Sequence, residues 1–127
     1  MTFEVSKLED LYHIQMTIKK YKYDSKIKWI LQEMANNIIE YQERGKIHVH
    51  ENYIITMIDL KTLREECYDT IKNAIMELNK KDKKFQKIKS RNNYNYGGYG
   101  FKAIHEMGFE FKLYRTKNNL AIVCKKR

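Results

Sequence analysis

Apolar residues recur at helical spacing along most of the first 79 positions, interrupted once by a stretch with strand periodicity. Leu8, Leu11, Ile14, Ile18 and Tyr21 fall on one face and predict an amphipathic helix over 7–21. Ser6 and Glu9 form an S-x-x-E capping box in front of it. Ile27, Ile30, Leu31, Met34, Ile38 and Tyr41 predict a second helix, capped by Asp24 or Ser25, with Gly45 as its C′ stop. In KIHVHENYIITMI, Ile47 and Val49 alternate with His48 and His50, which is strand periodicity. Tyr53–Ile58 reads as a second strand or a continuation of the first, with His50-Glu51-Asn52 as turn or bulge. A third helix then starts from Asp59 and buries Leu60, Leu63, Cys67, Ile71, Ala74, Ile75 and Leu78.

Beyond residue 79 the pattern changes. SRNNYNYGGYG, residues 90–100, is a loop by composition and holds three of the five glycines. FKAIHEM, 101–107, predicts a short helix stopped by Gly108. Phe109, Phe111 and Leu113 alternate with Glu110, Lys112 and Tyr114, Lys117-Asn118-Asn119 supplies turn residues, and LAIVC reads as a buried strand. The chain therefore ends in a β-hairpin. The elements sum to an α+β domain: three amphipathic helices on a small antiparallel sheet, then the short helix and hairpin. A short helix running straight into a hairpin also allows a winged-helix arrangement, with 101–107 as recognition helix and 109–124 as wing.

Composition narrows the possibilities. A chain of 127 residues makes a single domain with a core of its own. Aromatics reach 13%, far above what disordered chains carry. Proline is absent, so no helix is stopped by Pro and no Pro-rich ligand is present. Two cysteines make neither a disulfide framework nor a four-Cys zinc site. The apolar runs are far shorter than the ~20 residues of a membrane span, and the N-terminus does not read as a signal peptide. The expectation is a cytoplasmic protein with no membrane partner.

Charge gives the strongest functional signal. The net charge is +9, but residues 1–79 hold 11 Lys+Arg against 13 Asp+Glu, while residues 80–127 hold 14 against 3. A near-neutral helical body thus carries a basic third containing the loop, short helix and hairpin. Lys80, Lys81, Lys83, Lys84, Lys87, Lys89 and Arg91 crowd into twelve positions and lead to Tyr94, Tyr96, Tyr99 and Phe101. Cations neutralise phosphates and release counterions, and exposed rings stack bases. With Arg115 and Lys117 of the hairpin, these residues are the candidate nucleic-acid-binding set. The competing reading is a solvated helix end and a loop whose tyrosines fold back on the core. Lys19, Lys20, Lys22, Lys26 and Lys28 form a smaller basic patch between the first two helices.

Other constellations are thinner. GGYG lacks the G-x-x-x-x-G-K-[ST] of a phosphate loop. His48 and His50 share a strand face, as a solvent-facing pair on an edge strand, a partial metal set completed by His13 or His105, or an acid/base pair. Cys67 and Cys124 fall on apolar faces and read as core residues. We expect no cofactor and no metal ion. The tract GFKAIHEMGFEFKLYRTKNNLAIVCKK resembles the endings of small accessory proteins of phages and mobile elements in low-GC bacteria. That resemblance implies a binding protein without catalytic motifs, in its most specific form an anti-CRISPR-like inhibitor, and it carries over no functional residue. The expected partner is nucleic acid, RNA or DNA, or a nucleoprotein effector complex. A small ribonuclease using His48, His50, Tyr94 and Arg115, and a protein-interaction module with solubilising lysines, are the competing functions.

Overall fold

The computed structural model describes residues 1–79 and 99–127. Its elements run β1 (Thr2–Val5), α1 (Leu8–Ile18), α2 (Ser25–Glu40), β2 (Gly45–Val49), β3 (Tyr53–Asp59), α3 (Glu65–Asn79), α4 (Tyr99–Glu106), β4 (Phe109–Arg115) and β5 (Asn119–Lys126). The strands form one sheet in the order β1-β2-β3-β5-β4, antiparallel at every pairing. Four helices pack on one face of it, so the α+β class read from the sequence is the one the chain adopts. The winged arrangement is not. β5 lies between β3 and β4, which places the C-terminal hairpin in the body of the sheet rather than projecting from it.

Strand periodicity decides what each face carries. Phe3 and Val5, Ile47 and Val49, Ile54 and Ile58, Leu120, Ile122 and Cys124, and Phe109 and Phe111 all point to the helices and are buried. They meet Ile14 and Ile18 of α1, the α2 stripe from Ile27 to Ile38, and Cys67, Ile71, Ala74 and Ile75 of α3. From α4, Phe101 and Ile104 complete the cluster; the Phe101 ring meets Phe111 edge-on at 4.9 Å, so it is a core residue and not one of the exposed rings the sequence suggests for stacking bases. Burying an aliphatic side chain contributes about 1.5–3 kcal/mol, so this single layer holds the fold together.

Several boundaries differ from the sequence reading. β1 is an addition: Thr2–Val5 is too short to register as alternation, and it is a strand because β2 supplies its ladder partners. β2 is therefore internal, and His48 does not sit on an edge strand. At α1 the capping acid is Asp10, not Glu9; its carboxylate accepts the Ser6 and Lys7 N–H groups at 2.8 and 3.1 Å. Leu8 and Tyr21, expected on the buried stripe, are 50% and 46% exposed, because the helix faces the sheet with Ile14 and Ile18 and ends before Tyr21. Asp24, rather than Ser25, caps α2 by accepting the Lys26 N–H at 2.9 Å.

Gly45 does not stop α2. The Glu43 N–H donates to the Ile38 carbonyl and the Gln42 N–H to the Ile39 carbonyl, a Schellman pair with Gln42 in the left-handed region at φ 57°. Gly45 opens β2 instead, where a Cβ would collide with the Met57 carbonyl oxygen of β3. Asp59 ends β3 and does not start α3. Its Oδ1 accepts the Lys61 N–H at 2.9 Å, its carbonyl accepts Thr62 and Leu63, and the helix begins only at Glu65. The short helix starts two residues early, at Tyr99. Gly100 passes close to α2, where an added Cβ would lie 3.0 Å from Glu33 Oε1. Gly108 ends it as expected, at φ 100°.

Candidate nucleic-acid interface

Of the residues expected to bind nucleic acid, Lys80, Lys81, Lys83, Lys84, Lys87, Lys89, Arg91, Tyr94 and Tyr96 lie outside the described residues. Tyr99, Arg115 and Lys117 are not brought together. Tyr99 opens α4, on the helix-covered side of the sheet. Arg115 ends β4, and its guanidinium lies over the Tyr68 ring of α3, 5.1 Å from the ring centre. Tyr68 is near the start of α3, about 16 Å along the helix axis from Asn79 at its end. Lys117 sits in the β4–β5 turn and meets a different set of neighbours.

Those neighbours come from the near-neutral body. The Leu60 N–H donates to the Asn118 carbonyl at 3.0 Å, tying the hairpin turn to the loop after β3. The Asp59 N–H donates to the Arg44 carbonyl at 2.7 Å, and the Arg44 N–H donates to Thr62 Oγ1 at 2.9 Å, so the approach to β2 joins the same corner. The result is a shallow hollow of about 870 Å3 at one end of the sheet, with Arg44, Lys46, Lys61 and Lys117 around it. Glu4 and Asp59 also line it. Glu4 lies 3.8 Å from the Lys46 ammonium, both largely exposed, a pairing worth little in water. Asp59 Oδ1 is turned to the Lys61 N–H. The cations remain accessible to an anion.

The hollow opens onto the sheet face that no described helix covers. Cross-strand register sets out that face in rungs. One rung runs Thr2, His48, Ile55, Val123, Lys112 across all five strands. The next runs Glu4, Lys46, Met57, Ala121, Tyr114. A third joins Tyr53, Lys125 and Glu110. Its centre is apolar and half-buried, whereas Tyr114 is 53% exposed. At the β2–β3 turn the His50 ring stacks on Tyr53, centroids 4.5 Å apart and planes 9° apart, and the His48 ring lies 6.2 Å from Tyr53.

This geometry also redistributes the histidines and thiols. His48 Nδ1 is 3.0 Å from Thr2 Oγ1, and His50 Nδ1 accepts the Asn52 N–H at 3.4 Å, both on the open face. His13 rests against Phe3 on the helix side, and His105 lies in α4, so neither joins them in one ligand set. Arg115 is at the opposite end of the strands from His48 and His50, and does not complete a ribonuclease-like cluster with them. Burial pushes the Cys67 thiol above its ordinary pKa, helped by the Glu43 charge, and burial alone pushes Cys124 up to about 12. Neither suits a nucleophile. Lys19 and Lys28 of the second basic patch do face each other across α1 and α2, beside Gln15 and Gln32. No helix among the described residues is long and apolar enough to cross a membrane.

No protein-family model matches this chain, and no curated protein matches it. The sequence reading does not single out Arg44, Lys46 and Lys61, nor the rings of Tyr53 and Tyr114 on the open face. For the face itself a signal is present in the period-two spacing of Lys46 and His48, and of Tyr53, Ile55 and Met57. Which parity faces out depends on where the helices pack.

Proposed function

We propose that this protein is a non-enzymatic nucleic-acid-binding protein that acts on nucleic acid, free or within a nucleoprotein complex, through its basic C-terminal third. The observation that carries the reading is the corner where Lys117 meets Arg44, Lys46 and Lys61 around one hollow. The fold adds three cations from the body to the hairpin of the basic third, so four cations border one hollow beside the two carboxylates Glu4 and Asp59. The excess of 14 Lys+Arg over 3 Asp+Glu in residues 80–127 supports the same reading. A binding site of this kind works by counterion release, and its affinity falls steeply with salt.

In its most specific form, the protein is a phage or mobile-element inhibitor whose basic surface occupies guide RNA, target DNA or the channel of a nucleoprotein effector. The support for that form is the resemblance of residues 100–126, together with a site made of cations rather than of acid/base groups.

The test is anisotropy titration of a fluorescein-labelled 12-nucleotide strand at several salt concentrations. Wild-type protein binds with an affinity that falls as salt rises. Changing Lys83, Lys84, Lys87 and Lys89 together to Glu abolishes binding, and Lys117→Glu weakens it. Salt-insensitive binding, or full binding by the fourfold variant, overturns the electrostatic mechanism. Strand cleavage that His48→Ala removes would instead make the protein a ribonuclease.

A further inference from the structure

The sheet face that no described helix covers has a composition that solubility does not require. An antiparallel sheet with one solvated face normally presents polar residues there. Here the middle strands present Ile55, Met57 and Val123, with rings at both ends of the face. At the β2–β3 end stand His48, Tyr53 and His50; on the β4 edge strand stands Tyr114. Lys46, Lys112 and Lys125 are spread between them, each exposed and each on a different strand.

We propose that this face is a stacking platform for single-stranded nucleic acid, an inference that rests on the nucleic-acid reading above and assigns the face that bases occupy. Bases stack on the His50–Tyr53 column and on Tyr114, and the apolar centre takes the edges of the bases between them. The three lysines meet the phosphates, and the strand leaves the sheet over the hollow at Arg44 and Lys117. Five strands at about 4.8 Å spacing give a platform roughly 19 Å wide, and an open antiparallel face of that kind accommodates two or three bases.

The choice of occupant follows from charge and from shape. Cations outnumber the carboxylates Glu4, Glu110 and Asp59 on the face and its adjoining hollow, which suits a polyanion. Flat rings and the absence of a protruding element among the described residues suit unstacked bases. A paired duplex hides its base faces and presents only phosphates to such a surface. Sequence preference is weak, because every base has a stacking face.

The experiment compares oligo(dT) and oligo(U) 12-mers with a blunt 12-base-pair duplex at one salt concentration. Wild-type protein prefers both single strands over the duplex by tenfold or more. Tyr53→Ala and Tyr114→Ala each lower single-strand affinity by fivefold or more and leave duplex affinity unchanged, while Tyr53→Phe keeps wild-type affinity. Thermal melts and circular dichroism of each variant confirm that the fold is retained. If wild-type protein binds single strands and the lysine variants lose that binding while both tyrosine variants keep it, the platform is wrong and the electrostatic reading stands. If wild-type protein binds neither strand nor duplex, both fail. Sedimentation that shows a dimer dissociated by Tyr114→Ala identifies a second copy as the occupant and overturns the proposal.

Discussion

The Arg115 guanidinium carbon lies 5.1 Å from the centre of the Tyr68 ring. Two residues further along the hairpin, Lys117 borders the hollow at the sheet's end. Neighbours in sequence thus meet different surroundings. An exposed cation–π pair contributes about 0.5–1 kcal/mol. Arg115→Ala is expected to lower stability by about that amount in urea melts and to leave nucleic-acid affinity within twofold. Lys117→Ala is expected to leave stability unchanged and to reduce the slope of log affinity against log salt by about 1. Anisotropy titrations over a salt series read both. A larger binding loss for Arg115→Ala than for Lys117→Ala would place the interface on the helix side instead.

Gln42 and Gly45 have each other's expected conformations. Gln42 holds the left-handed position that usually takes glycine, at a cost of roughly 1–2 kcal/mol for a residue with a Cβ. Glycine there relieves the strain and gives back part of the gain in unfolded-state entropy, so Gln42→Gly is expected to raise stability by up to ~1 kcal/mol. Gly45→Ala is expected to lower it by about 1–3 kcal/mol, because its Cβ would press on the Met57 carbonyl oxygen and crowd Ile38 Cδ1 at 3.3 Å. Equilibrium denaturation of the two variants should therefore shift in opposite directions.

Both thiols are buried and face the helix–sheet core. Burial raises both pKa values and so lowers the thiolate fraction at pH 8, most of all at Cys124, whose pKa is about 12. A colorimetric thiol titration at that pH should find neither cysteine reactive in the native protein and both reactive in denaturant. Rapid native labelling of either would contradict the packing described.

Thr56 sits in the middle of β3 between Ile47 and Ile122, facing the core, and its buried hydroxyl has no hydrogen-bond partner among the described residues. Burying such a group unpaired costs roughly 1–3 kcal/mol. Thr56→Val keeps the shape and removes the cost, so a higher melting temperature is expected. A lower one would mean that the hydroxyl is satisfied in solution.

Much of the architecture was legible along the chain. The α2 stripe was read correctly from Ile27 to Ile38, because a long amphipathic helix is set by local spacing. The β4–β5 hairpin was read with its turn, because Phe109, Phe111 and Leu113 alternate cleanly and the asparagines follow. Boundaries failed where a distant partner intervened. Thr2–Val5 became a strand through β2, and Asp59 was held as the end of β3 by its place opposite Asn119. Gly45 follows the α2 stripe at the spacing of a helix stop, yet its use is close contact with a neighbouring strand.

The sequence by itself determined the fold class, the core stripes and a basic final third, since periodicity and net charge are properties of the chain's order. It also divided the chain into a neutral body and a basic end. Tertiary structure dissolved that division. β5 inserts beside β3, so residues from both parts share one sheet, and Lys117 joins Arg44, Lys46 and Lys61. It also decided which parity of the strands the described helices leave open, setting His48, Tyr53 and Tyr114 on one surface. A strand's two faces are equivalent until something packs on one of them, and hydrogen bonds between strands bring together side chains that no local pattern relates.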